Sequence, residues 1–218
     1  MGKFHPTAKA DGAGELTIYD EIGGWGLTAK DFKTDLRSLG KVQEITLRIN
    51  SPGGSVFDGM AIYNLLRSHG ADVAVAVDGI AASIASVILC AGDVVEIAAG
   101  GMVMVHNPAA LIFGDAAELR KYADALDKMA ANIVDVYAAK TGAKPDDLRG
   151  MMAGETWMDA TEAVAAGFAD AVAEDRRAVA CAAAEKLAAR APERFRALLT
   201  PPPGPPTDGY KARLAKWA

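Results

Sequence analysis

Residues 73–90 read Val-Ala-Val-Ala-Val-Asp-Gly-Ile-Ala-Ala-Ser-Ile-Ala-Ser-Val-Ile-Leu-Cys. The apolar run over 73–77 predicts a short buried strand, and the Asp78-Gly79 pair is typical of a turn. Small and apolar side chains from Ala81 to Cys90 predict a tightly packed helix, in which Ser86 is one of the small residues. A strand, a glycine turn and a helix in this order indicate one unit of an α/β fold.

The flanking segments repeat this order of strand and helix. Thr28 is placed to cap a helix that Gly40 closes, and Asn50-Ser-Pro-Gly-Gly54 ends a strand with proline and paired glycines. Strands are predicted over 16–20, 45–49, 93–98 and 102–106, with helices over 28–40 and 58–69. The alternation predicts an α/β fold with a mainly parallel sheet, whose loops gather functional residues at the carboxyl ends of the strands.

The C-terminal half begins with a long helix predicted over 115–141. Its apolar positions recur at three- and four-residue steps, which suits packing on its own sheet or against another subunit, and both interpretations stay open. Two short helices are predicted within 144–170, around the loop 154–157. Asp159-Ala-Thr-Glu162 has the form of a capping box that starts the second one.

Composition limits the classes of function. The 218 residues are 51% hydrophobic and 23% charged, which fits one α/β domain. A net charge of −5 argues against nucleic-acid binding. We find no signal-peptide pattern and no apolar run of membrane-spanning length, and therefore expect a soluble, cytoplasmic protein with no membrane partner. Two cysteines and three histidines without ligand spacing predict no metal, cofactor or disulfide scaffold.

The chain divides by composition into four parts. We expect a flexible leader over 1–15 and a folded domain over 16–175. Beyond them we expect a helical extension over 176–200, and a Pro-rich linker and tail over 201–218.

Ser83 and His106 are the residues most suited to nucleophilic chemistry. Ser83 follows a strand near the start of a helix, where backbone N–H groups are unpaired, and His106 ends an apolar strand before Asn107-Pro108. Taken singly, each is more often structural than catalytic. His5 and His69 occupy a leader and a helix end, so His106 is the base if a serine–histidine pair exists.

A serine–histidine pair needs a carboxylate that orients the imidazole. Glu155 and Asp159 compete, and we favour Glu155 because Asp159 already serves as a helix cap. The glycines of 50–54 are either a simple turn or a place where backbone approaches substrate. In the second interpretation the N–H groups of Gly54 and Ile84 form an oxyanion hole.

Four blocks in order resemble the Clp protease proteolytic subunit (ClpP) family, over roughly residues 16–172. The blocks are Asn50-Ser-Pro-Gly-Gly54, Gly79-Ile-Ala-Ala-Ser83, Met104-Val-His106-Asn-Pro108, and residues 155–167, which begin Glu-Thr-Trp-Met-Asp. Each block alone is weak evidence, and their order makes the combination specific.

The resemblance implies the ClpP/crotonase-like spiral of ββα units with a long protruding helix, called the handle helix, over 115–141. It also implies Ser83 as nucleophile, His106 as base, residue 155 as the orienting acid, and Gly54 with Ile84 as oxyanion donors. Glu155 stands where the family usually has Asp. The same resemblance implies a polypeptide substrate. It also implies a homo-oligomeric ring, either a heptamer or a stack of rings.

The short region before Asn50 and the Pro-rich tail are similar to ClpP-related proteases of phage head maturation. This similarity implies cleavage of a capsid or scaffold protein or of the chain's own tail, while an ATP-driven unfoldase is the alternative partner. Two other functions stay open: a crotonase-type acyl-coenzyme A enzyme, and a non-catalytic scaffold or assembly protein of the same fold. A Ser–Lys dyad is disfavoured because no lysine lies between Lys41 and Lys121.

Overall fold

The computed structural model describes residues 7–8, 12–24 and 26–173. These residues form eight strands and six helices. The strands are β1 (Thr7–Ala8), β2 (Ala13–Ile18), β3 (Glu44–Ser51), β4 (Asp72–Ala82), β5 (Val94–Ile97), β6 (Met102–Val105), β7 (Thr156–Asp159) and β8 (Ala171–Val172). The helices are α1 (Ala29–Ser38), α2 (Val56–Arg67), α3 (Ile84–Leu89), α4 (Ala116–Thr141), α5 (Pro145–Ala153) and α6 (Ala160–Ala165).

The main sheet has the order β1-β2-β3-β4-β5-β8 and is parallel except at the β1 edge. Inward-facing Ile, Leu and Val side chains of β2 to β5 are buried against the helices, as a sheet covered on its faces requires. This arrangement confirms the α/β class predicted from the alternation of strand and helix. The element bounds fall within a few residues of the predicted ones, with the exceptions below.

Strand β4 is longer than predicted, and it changes partners along its length. Residues 74–77 pair with β5, whereas Ile80–Ala82 pair with β6. The prediction of a turn at Asp78-Gly79 is wrong, because both residues lie within β4. Gly79 is also not among the positive-φ residues of the described chain, as a two-residue Asp-Gly hairpin turn would require. A Cβ on Gly79 would lie 2.5 Å from Asn50 Oδ1, so the glycine here admits a neighbouring strand end.

The segment 144–170 contains a strand that the sequence did not reveal. Strand β7 follows α5 and pairs antiparallel with β6, from Val105 opposite Thr156 to Met102 opposite Asp159. Four residues are too few for alternation to show clearly, which explains the omission. The predicted capping box at Asp159 and Glu162 is confirmed.

The expected leader over 1–15 needs a correction. Residues 13–15 belong to β2, and Thr7–Ala8 pairs antiparallel with Gly14 and Glu15. The sheet edge offers unpaired backbone groups that even two residues can satisfy. The rest of the leader prediction, and the expected segments over 176–200 and 201–218, lie outside the described residues.

Helix α4 confirms the predicted long helix. It begins at an Asp115–Glu118 capping box and ends at Gly142 with φ 69°. Ile133, Val134 and Tyr137 in its second half are buried. Leu119 and Tyr122 in its first half are 44% and 51% exposed, so this half extends away from the core. Within the described ranges, no helix is both long and apolar enough to cross a membrane.

Candidate active site

Ser83 lies between β4 and α3 in a backbone conformation that side chains rarely adopt. Its φ is 55° and its ψ is −127°. The Ser83 N–H donates to the Met104 carbonyl at 2.9 Å, which ties this bend to β6. Such strain persists only where the surroundings hold it, and it is common at functional sites. The bend replaces the predicted helix start at Ala81 and presents the Ser83 hydroxyl at the end of the strand.

The structure brings Ser83 and His106 into direct contact. Because Ile80–Ala82 of β4 run parallel to Met102–Met104 of β6, both strands end at the same edge of the sheet. The Ser83 Oγ lies 2.7 Å from His106 Nε2, at hydrogen-bond distance. His106 is half-buried. An imidazole in this position can accept the hydroxyl proton.

The glycine loop 50–54 packs directly on the Ser83 bend. A Cβ on Gly53 would lie 2.6 Å from the Ala82 carbonyl oxygen, 2.7 Å from Ser83 Cβ and 3.2 Å from the Ile84 nitrogen. Gly53 also has φ 97°, which favours glycine. Only glycine therefore allows this approach.

Two backbone N–H groups remain available beside the nucleophile. In the loop, Gly53 N donates to Ser51 Oγ at 3.1 Å and Ser55 N donates to Ile22 O at 2.7 Å. The Gly54 N–H between them has no acceptor within the described part of the chain. Ile84 is the first residue of α3, where a helix leaves its N–H unpaired. These two donors are suited to an oxyanion.

The two candidate acids lie at opposite ends of β7, with Glu155 directly before its first residue and Asp159 as its last. Extending the β6–β7 register by one residue places Glu155 opposite His106, whereas Asp159 pairs with Met102. Asp159 is therefore four strand residues, about 14 Å, from His106, and its carboxylate caps α6.

Glu155 nevertheless does not contact His106. Its backbone has φ 47°, and its exposed carboxylate accepts a hydrogen bond from Trp157 Nε1 at 3.3 Å. Among the described residues, no carboxylate is hydrogen-bonded to the His106 ring.

A cleft of about 390 Å³ lies beside Asn107, the residue that follows His106 in the chain. Asn107 lines it on the β6 side, and small residues of α4 and α5 form much of its wall, with Asp127 and Arg149 as the charged groups. The remaining lining residues are Ala130, Ala131, Val134 and Ala153. The described ranges hold no group of three or more metal-ligating side chains.

The family model of the Clp protease matches residues 28–176, which include β3 to β8 and every candidate site residue. The chain belongs to the Clp protease family. This finding confirms the resemblance drawn from the four sequence blocks.

Curated members of the Clp protease family align over the same region. The ATP-dependent Clp protease proteolytic subunit 3 of Rhodococcus jostii is 36% identical over 132 residues, 60% of this chain and 65% of that protein. The subunit 1 of Chlamydia muridarum is 35% identical over 134 residues, 60% of this chain and 70% of its own length. The subunit of Bacteroides fragilis is 33% identical over 150 residues, 66% of this chain and 72% of its own length. The chain thus spans about two thirds of these Clp protease subunits.

The sequence missed one feature of this Clp protease-family site. Ser86 was interpreted as a small packing residue, but its hydroxyl contacts the Ser83 carbonyl and Tyr137. The signal that could have found it is a hydroxyl at the third position of an otherwise apolar helix, α3, since a buried hydroxyl needs a partner.

Proposed function

We propose that this chain is a serine endopeptidase that cleaves polypeptides through an acyl-enzyme on Ser83. The observation that carries the proposal is the 2.7 Å contact between Ser83 Oγ and His106 Nε2. Membership of a protease family supports the same chemistry.

The proposed reaction has two halves. His106 takes the Ser83 proton while Oγ attacks the scissile carbonyl, and the N–H groups of Gly54 and Ile84 stabilise the oxyanion. His106 then gives the proton to the leaving amine, and an ester remains on Ser83. A water molecule, deprotonated by His106, attacks the ester and releases the carboxylic acid with a free serine.

We propose Glu155 as the residue that orients His106. The β6–β7 register supports this choice over Asp159. Within the described residues, the exposed Glu155 carboxylate is hydrogen-bonded only to Trp157 Nε1, so a side-chain rotation can bring it towards His106 Nδ1. The extra methylene of Glu over Asp lengthens its reach. The cleft beside Asn107 is the proposed site for a substrate side chain.

The proposed working form is a homo-oligomeric ring. The exposed Leu119 and Tyr122 on the first half of α4 support a role of this half in contacts between subunits. A capsid or scaffold protein, or the chain's own Pro-rich segment at 201–206, is the proposed substrate, and an ATP-driven unfoldase is the alternative partner. Mass spectrometry of the purified chain tests self-cleavage, because loss of the tail in the wild type and retention in Ser83→Ala would support it.

A fluorophosphonate probe and a fluorogenic peptide test the peptidase directly. We expect labelling and hydrolysis in the wild type and neither in Ser83→Ala, with labelling strongly reduced in His106→Ala. Ser68→Ala and His69→Ala are matched controls, since they remove a serine and a histidine at the end of α2. Labelling that survives Ser83→Ala would show the assignment to be wrong.

A further inference from the structure

Ser86 and Tyr137 form a hydroxyl pair in the core that the proposed reaction leaves unused. Ser86 is 0% exposed and Tyr137 is 1% exposed, and their oxygens are 2.7 Å apart. Burying a hydroxyl is unfavourable unless it is hydrogen-bonded. Apart from Ser51, Ser86 is the only fully buried serine, threonine, amide or charged side chain in the described chain, so its partners are informative.

The direction of these hydrogen bonds follows from counting protons. Ser86 Oγ donates to the Ser83 carbonyl oxygen at 2.5 Å, and a serine hydroxyl has one proton. The Tyr137 hydroxyl must then donate to Ser86 Oγ. Burial raises the pKa of Tyr137, which keeps its phenol protonated and able to donate. The result is a chain of two hydrogen bonds, from Tyr137 on α4 to Ser86 on α3 and from Ser86 to the Ser83 carbonyl, which we call the relay.

The carbonyl that receives this relay belongs to a sensitive peptide group. The Ser83 C=O and the Ile84 N–H are parts of one planar peptide unit, so fixing the carbonyl also fixes the direction of the N–H. Ser86 holds that carbonyl twice, through its hydroxyl and through its backbone N–H at 3.0 Å. The Ser83 φ of 55° is strained and needs such support.

Tyr137 is itself held firmly at the far end. Its ring packs edge-on against Phe168 with centroids 5.2 Å apart, and it lies in the buried half of α4. A displacement of α4 would therefore move the donor of the relay.

We propose that Tyr137 and Ser86 are positioning residues that aim the Ile84 N–H at the oxyanion of the Ser83 reaction. The inference rests on the proposed peptidase function and extends it to two residues that do not touch substrate. It also makes α4 a helix whose placement sets the activity of the site.

Tyr137→Phe and Ser86→Ala test the relay, since Tyr137→Phe removes one oxygen and keeps the ring packing. We expect kcat for a fluorogenic peptide, normalised to titrated active sites, to fall about 3- to 10-fold in each, with KM unchanged. The double variant should be no worse than the worse single variant, because either change already breaks the relay. Tyr63→Phe, which removes a half-buried hydroxyl from α2, is the matched control and should leave kcat unchanged.

A peptide boronate adds a readout that a purely structural role would not move. It forms a tetrahedral adduct on serine with an oxygen in the oxyanion hole, so its inhibition constant should rise in parallel with the loss of kcat/KM. If Tyr137→Phe and Ser86→Ala kept kcat and the boronate constant within twofold of the wild type, the positioning role would be refuted. Labelling that persisted in Ser83→Ala would overturn both this inference and the proposed peptidase function. Labelling that depends on Ser83, combined with an unchanged kcat in Tyr137→Phe and Ser86→Ala, would overturn this inference alone.

Discussion

Replacing Gly54 with alanine should disable the site through the backbone alone. A Cβ on Gly54 would lie 2.1 Å from the Ile22 carbonyl oxygen, and the residue has φ 142°, which side chains rarely adopt. Real Cβ atoms stay beyond 3.0 Å from such neighbours, so the loop must shift by about 1 Å, a displacement that can cost ~100-fold in rate.

The same shift withdraws one of the two proposed oxyanion donors. Loss of one such donor lowers kcat by about 10²–10³, or roughly 3–4 kcal/mol of transition-state stabilisation. The strained backbone should also cost about 1–3 kcal/mol in the free energy of unfolding. Both effects come from Cβ, because alanine retains the N–H group.

Peptide hydrolysis per titrated active site, with urea unfolding measured alongside, separates the two effects. Gly24→Ala is the matched control, since a Cβ there meets nothing within 4 Å, and it should retain wild-type kcat. If folded Gly54→Ala kept kcat within twofold of the wild type, the oxyanion role of this loop would be refuted.

Three further outcomes are expected. Asp159→Ala should lower the free energy of unfolding in urea by about 1 kcal/mol, because it removes a helix cap, and should keep the wild-type kcat. Glu155→Gln should lower kcat more than about tenfold. A loss of kcat in Asp159→Ala with none in Glu155→Gln would assign the orienting acid to Asp159. Burial raises the pKa of Cys90 to about 12 from 9.0, so the neutral thiol favours the fold and stability should fall above pH 9. The loss is at most about 1.4 kcal/mol per pH unit. In urea titrations above pH 9, the unfolding free energy of Cys90→Ala should therefore fall less steeply with pH than that of the wild type, and equal slopes would contradict the prediction. Gly150→Ala, inside α5 with open space around its Cβ, should raise the unfolding free energy by about 0.5–1 kcal/mol, and a lower urea midpoint would contradict this.

Local sequence signals account for much of the fold. Thr28 and Asp159 were recognisable as helix caps because capping depends on residues within three positions, and each caps a helix in the structure. Asp78-Gly79 misled for the opposite reason. Its turn signal is local, but β4 continues through it because Val77 and Ala81 on either side pair with β3, and only tertiary structure supplies those partners.

The candidate site divides in the same way. Ser83 and His106 were identified from motif order, and the structure places them in contact because β4 and β6 are parallel and adjacent. The relation of Glu155 to His106 depends on the β6–β7 register. A four-residue strand is too short for its sequence pattern to predict that register. The partnership of Ser86 with Tyr137 spans 51 positions of sequence, and no local pattern predicts it.

Because β4 changes partners along its length, the strands beside it should differ in their stability against local unfolding. His106 directly follows β6, which pairs with β4 through three residues and, within the described part of the chain, otherwise only with the short β7. β3 and β4, in contrast, share a ladder that runs from Glu44 to Ser51. Cooperative units with few pairings exchange their amide hydrogens first. Amides of β6 and β7 should therefore exchange before those of β3 and β4. Activity should be lost at a lower denaturant concentration than the one at which the main sheet unfolds.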